Sequence, residues 1–154
     1  MSEFLKIGGK YNDTAKGISV NADGALNIER HNQTEIITLY KSIEKRDNEI
    51  LRCYGDKAVD LSDWTSCCIL VQNYLDVDAK LIFYTQDDIN SSHYLKDADG
   101  QTITILLPHV STGCCIITPE DYSILNYLKY FTGGIYFPNT PTSGEFTLKV
   151  MRKR

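Results

Sequence analysis

Ser66-Cys67-Cys68-Ile69-Leu70-Val71-Gln72-Asn73 (SCCILVQN) is echoed by Gly113-Cys114-Cys115-Ile116-Ile117-Thr118-Pro119-Glu120 (GCCIITPE). Two cysteine doublets in one chain admit three readings: a metal site, a redox pair, or ordinary strand filling. Successive side chains of a strand point to opposite faces, so neither doublet can aim both thiols at one metal ion or at one core. Zinc sites separate paired cysteines by about two to four residues, which lets a turn bring both thiolates to a tetrahedral ion. The doublets therefore read as strands in which cysteine is a small hydrophobe. If one cysteine of each doublet faces the core and the two lie opposite each other, a single disulfide is the alternative.

Working outward from the first doublet, Tyr74 to Asp78 makes a short acidic turn. Ala79-Lys80-Leu81-Ile82-Phe83-Tyr84-Thr85 then runs back, which predicts an antiparallel hairpin. A loop rich in Asp, Asn and Ser and the turn Asp97-Ala98-Asp99-Gly100 precede the strand Thr102–Leu107. Upstream, Val59–Trp64 leads into the doublet strand. Ile50–Tyr54 and Ile36–Tyr40 are further strand candidates, although Ile36, Leu39, Tyr40 and Ile43 also fit helical spacing. The polar span Ser42–Glu49 reads as a loop between them. Near the start, ISV and ALNI flank Asn21-Ala22-Asp23-Gly24, a hairpin signal.

Thr118-Pro119-Glu120-Asp121 has the marks of a helix start: an N-cap threonine, proline at the first helical position and acids in the first turn. With Ile124, Leu125, Leu128 and Phe131 on one face and Gly133-Gly134 as a stop, it predicts a short helix near residues 119–131. Ile135–Phe137 and Glu145–Met151 are strands joined by a Pro- and Ser-rich turn. The fold class expected is all-β and mostly antiparallel, a β-sandwich or jelly-roll-like domain at 51–154 with an N-terminal hairpin arm at 1–50.

A chain of 154 residues can bury a core without staples, and ten tyrosines against one tryptophan lean toward strands. The formal charge of −4 argues against a general nucleic-acid binder. Met151-Arg152-Lys153-Arg154 is the one basic cluster and reads as a solvated, frayed tail or a contact for an acidic partner. MSEFLKIGGKYND lacks the apolar run of a signal peptide, and no stretch approaches the roughly 18 apolar residues of a membrane helix. Five cysteines, four of them in adjacent pairs, do not form the spaced even set of a secreted scaffold. A cytosolic product without membrane insertion is the expectation.

Candidate functional residues are few. His31, His93 and His109 lie far apart and outside any catalytic motif, and no P-loop, GxSxG or dinucleotide fingerprint occurs. No cofactor or catalytic residue is expected. Asp76, Asp78, Asp97 and Asp99 are weak calcium candidates, with Asp87 and Asp88 near them, but DADGQ lacks the spacing of an EF-hand and suits turn chemistry. Trp64, Tyr74, Tyr84 and Tyr94 could offer a glycan-stacking platform, or could cover a sheet or fill a subunit interface.

The run VDLSDWTSCCILVQNYLDVDAKLIFYTQD resembles small structural proteins of tailed bacteriophages and prophages, which share a "dls.w....i.v.N.lD..v.l.iyt" pattern and a later "PTSG.ftl.v". Pro141-Thr142-Ser143-Gly144-Glu145-Phe146-Thr147-Leu148-Lys149-Val150 matches the second part, so the similarity spans Val59 to Val150. It is similar also to sandwiches of phage lytic-cassette proteins. The resemblance implies a non-enzymatic virion β-sandwich of the tail fibre, baseplate or head-decoration type, made in the host bacterial cytoplasm. It implies a homo-oligomer, with a trimer favoured, that meets other virion proteins and a host cell-surface glycan. A carbohydrate-binding module and a phage lysis accessory protein are the alternatives.

Overall fold

The computed structural model describes residues 33–154 throughout and, within residues 1–32, the backbone of five short strands. The chain divides between Asn32 and Gln33 into two compact units. The first unit holds β1 (Phe4–Leu5), β2 (Lys10–Tyr11), β3 (Thr14–Ala15), β4 (Ile18–Val20) and β5 (Leu26–Asn27). There β4 pairs antiparallel with both β1 and β5, and β2 with β3. Val20 lies opposite Leu26, as the hairpin signal requires. The Asn21–Gly24 turn and His31 lie outside the described residues.

The second unit contains β6 (Thr34–Glu44), β7 (Leu51–Cys53), β8 (Val59–Asp60), β9 (Ser66–Asn73), β10 (Ala79–Phe83) and β11 (Thr104–Leu107). It continues with β12 (Cys115–Ile117), β13 (Tyr130–Phe131), β14 (Gly133–Tyr136) and β15 (Glu145–Lys153). One four-stranded antiparallel sheet has the order β11-β10-β14-β7 and the other β12-β9-β15-β6. Leaving aside the small β8/β13 ladder, the eight strands distribute as in a jelly roll: first, third, sixth and eighth in one sheet, the rest in the other. The arm boundary expected at residue 50 therefore falls at 32/33. Ile36–Tyr40 is strand rather than helix, and β6 runs on to Glu44, paired with β15 from Thr34↔Lys153 to Glu44↔Glu145.

The core lies between the sheets. Cys67, Ile69 and Val71 of β9 and Phe146, Leu148 and Val150 of β15 are buried with Leu81 and Phe83 of β10, Ile105 and Leu107 of β11 and Ile135 of β14. Each strand contributes alternate residues, the period that a half-buried strand demands. The Phe137 and Phe146 rings meet edge to face at 6.2 Å.

Two local expectations give way to long-range pairing. β9 and β10 do not form a hairpin, because they belong to different sheets and the turn between them is an arch. The helix expected at 119–131 is replaced by a 3-10 turn at Ser123–Asn126. The Asp121 carboxylate reaches back to accept the Thr118 N–H and hydroxyl, at 2.9 and 3.1 Å, which closes one turn instead of opening a helix. Further on, Phe131 is drawn into pairing with Val59, while Leu125 and Leu128 remain buried. Gly133 and Gly134 are strand residues rather than a stop. A Cβ at Gly134 would come 2.9 Å from both the Ile50 Cγ2 and the Tyr84 hydroxyl, so the bare backbone makes room for that tyrosine.

Candidate functional site

The cysteines are settled by register. Cys115 pairs with Val71 and Ile117 with Ile69, so the two doublets sit on neighbouring strands but are offset by four residues. That offset separates the core-facing Cys67 and Cys115 by about 13 Å along the strand, too far for a disulfide. All five cysteines are free. Burial pushes the Cys53 and Cys67 thiols up to about 12, which leaves them unreactive hydrophobes. Cys68 faces outward beneath a groove of about 460 Å³ formed with Thr118, Pro119 and Lys153. Burial raises its pKa as well, against the opposing charge of Lys153.

The four aromatic candidates are not brought to one place. Trp64 precedes β9 and Tyr74 follows it, so a strand of about 25 Å separates them. Tyr84 and Tyr94 do meet. They form an isolated antiparallel bridge, and their rings stack at 6.2 Å with an interplanar angle of 18°.

This stack caps the outward face of the β11-β10-β14-β7 sheet, whose register can be read row by row. Leu106, Lys80 and Tyr136 are direct partners in one row, and Thr104, Ile82, Gly134 and Arg52 in the next. Tyr84 continues the same parity on the strand after Ile82. Its ring lies over Gly134 and is only 1% exposed, covered by Tyr94 and met edge-on by Tyr54 at 6.2 Å. Arg52 Nη1 donates to the Tyr84 hydroxyl at 3.3 Å. The outcome is a face of exposed tyrosines, Tyr54, Tyr94 and Tyr136, with two cations, Arg52 and Lys80. None of these four strands contains an Asp or Glu.

Arg52 and Tyr54 carried no site signal in the sequence. Alternation does place Lys80, Ile82 and Tyr84 on one face of their own strand. Which strands flank it, and so which residues join that face, depends on a topology that local pattern does not encode.

Trp64 belongs to a separate cleft of about 250 Å³ lined by Glu35, Asp60, Asp63, Arg152 and Arg154. The basic cluster at 151–154, expected as a frayed tail, is the end of β15. Arg152 donates through Nε and Nη2 to Glu35 Oε2, at 2.9 and 2.5 Å, and through Nη1 to the Asp60 carbonyl at 2.7 Å. The Arg152 and Arg154 guanidinium groups lie 4.3 and 4.6 Å from the Trp64 ring centre. Arg154 Nε also donates to Gln33 Oε1 at 2.8 Å. The indole is thus already stacked on cations of its own chain.

The aspartates serve the backbone. Asp78 accepts the His109 N–H, and Asp97 accepts those of Asp99 and Gln101. Asp76 clamps Thr142 and Ser143, and the hydroxyl and N–H of Thr142 hold its carboxyl down at about 2. Among the described residues no three His, Cys, Asp or Glu side chains converge as a metal site would require, so the calcium candidates remain apart. His93 lies exposed with its Nδ1 3.5 Å from Ser91 Oγ.

Buried Asn73 is a polar hub that sequence reasoning missed. Its amide donates to the Val77 and Leu107 carbonyls, both at 3.1 Å, while its Oδ1 accepts the Leu75 N–H.

Among the described residues no helix is long and apolar enough to cross a membrane. Comparison with protein-family models, with curated proteins and with solved structures finds no match to this chain.

Proposed function

We propose that the protein is a non-enzymatic structural module of a phage or prophage particle that assembles through its jelly roll into a symmetric homo-oligomer. The observation that carries this reading is the jelly-roll topology, which is common in viral capsid domains, and the Val59–Val150 resemblance implies a virion β-sandwich of the same class.

The outward face of the β12-β9-β15-β6 sheet supports the same reading. Ile36, Met151 and Cys68 are register partners across three strands, and Leu70 and Ile116 are partners in the adjoining row, which Lys149 and Thr38 complete. Ile36 and Ile116 are 54% and 53% exposed at the two edges of the sheet. Apolar side chains exposed at both edges of one sheet, bordered by Lys149, are the kind of surface that subunits cover in assembly.

Light scattering coupled to size exclusion, with and without reductant, tests the proposal. A reductant-insensitive trimer or larger ring that falls apart in Ile116→Lys supports it. A monomer at all concentrations overturns it.

A further inference from the structure

We propose that the outward face of the β11-β10-β14-β7 sheet binds acidic polysaccharide, with Tyr54, Tyr94 and Tyr136 stacking on sugar rings and Arg52 and Lys80 meeting the sugar carboxylates. The face is a different surface from that of the β12-β9-β15-β6 sheet, so it stands or falls separately from the assembly proposed above.

Three observations select this occupant. The first is chemistry: exposed aromatic rings stack on the apolar faces of pyranose rings, and their hydroxyls remain free for hydrogen bonds. The second is charge. The whole chain carries −4, yet the four strands of this sheet contain two cations and no carboxylate. Asp78, which continues the parity of Lys80 just before β10, is occupied as a turn cap by the His109 N–H, as Asp76 and Asp97 are elsewhere. An anionic ligand fits the face and an uncharged one leaves its cations unused.

The third is size. Three rows of residues about 7 Å apart across four strands about 4.8 Å apart give a patch of roughly 400 Å². A stable protein partner needs about 800 Å² on each side. A linear sugar chain needs only a strip, and the rows provide one that is already ordered. Tyr84 is fixed over Gly134 and holds Tyr94 by stacking, while its hydroxyl accepts from Arg52, so cation and ring are positioned before any ligand arrives.

Titration calorimetry of the full chain with polygalacturonate, dextran and polyglutamate tests this. Saturable binding to polygalacturonate is expected, at least tenfold weaker in Tyr136→Ser and in Lys80→Gln, with dextran and polyglutamate weak. Both variants alter exposed side chains, and circular dichroism establishes that they fold. Equal binding to polyglutamate that is indifferent to Tyr136→Ser reduces the face to a polyanion attractor and overturns the saccharide assignment. Equal binding to dextran overturns the role of charge, and no binding to polygalacturonate overturns the proposal outright.

Discussion

Asp76 and Thr142, 66 residues apart, are locked together: the Asp76 Oδ1 accepts the Thr142 backbone N–H at 2.9 Å while Oδ2 accepts its hydroxyl. Oδ1 also accepts the Ser143 N–H at 3.3 Å, and the Asp76 N–H donates to the Ser143 carbonyl. The two motifs that looked separate in the sequence, the Asn73–Asp76 arch and the Pro141–Gly144 turn, therefore form one clamp at one end of the jelly roll.

The clamp is expected to weaken in acid. Because the folded-state pKa of Asp76 is depressed from 3.8 to about 2, its contribution to stability is fully present above pH 4 and disappears as pH falls toward 2. Urea midpoints measured from pH 5 to pH 2 should decline less in Asp76→Asn than in the unaltered protein. Parallel declines would mean that other carboxylates carry the acid sensitivity.

Gly144 closes the same clamp at φ +89°, and a Cβ there would stand 1.9 Å from the Tyr74 carbonyl oxygen. Backbone atoms cannot yield as a side chain does, so Gly144→Ala should cost more than about 3 kcal/mol. Gly100 shares a positive φ of +79° but has open space around it. Gly100→Ala should therefore lose only about 1 kcal/mol, the backbone component alone. Chemical denaturation of both variants separates strain from collision.

Asn73 explains why strands were legible in the sequence and their partners were not. The apolar run Cys67–Val71, bounded by the acidic turn after Asn73, reads as a strand whatever the neighbour, so β9 could be found without knowing the fold. The Tyr74–Asp78 turn has the length of a hairpin loop, yet the buried Asn73 amide ties Val77 and Leu107 and carries the chain across to the other sheet. The false helix has the same origin. Thr118-Pro119 is a sound local signal, but it competes with the Phe131↔Val59 pairing and with an Asp121 carboxylate that folds back. Of the aromatic candidates, Tyr84 and Tyr94 converge because a bridge joins them, and no local pattern announces that bridge.

Removing the hub tests its weight. Asn73→Ala leaves two carbonyls and the Leu75 N–H without their side-chain partner in a buried setting, and a loss of about 3 kcal/mol is expected. The urea slope should hold steady while the midpoint falls. A loss below about 1 kcal/mol would show that the arch is held by other contacts.

Thiol accessibility checks the cysteine assignment. Cys114 is exposed, whereas Cys53 and Cys67 are fully buried with thiols raised to about 12. Native protein treated with a disulfide reagent should modify Cys114 rapidly and leave Cys53 and Cys67 silent until the chain unfolds. Fast native labelling of Cys67, located by peptide mapping, would contradict the packing between the sheets.

The end of β15 provides its own reporter, because Trp64 is the one tryptophan in the chain. Arg152 lies over that ring and holds Glu35 and the Asp60 carbonyl at once. Replacing it with methionine keeps much of the apolar stem but deletes the ion pair, the hydrogen bonds and the cation over the indole. With the Arg152 side chain 18% exposed and Glu35 47% exposed, solvent screens the pair, so the combined loss should be about 1 kcal/mol. Trp64 emission should shift to the red as water reaches the uncovered ring. Unchanged emission in Arg152→Met would mean that Arg154, whose guanidinium lies 4.6 Å from the same ring, is enough to keep the indole covered.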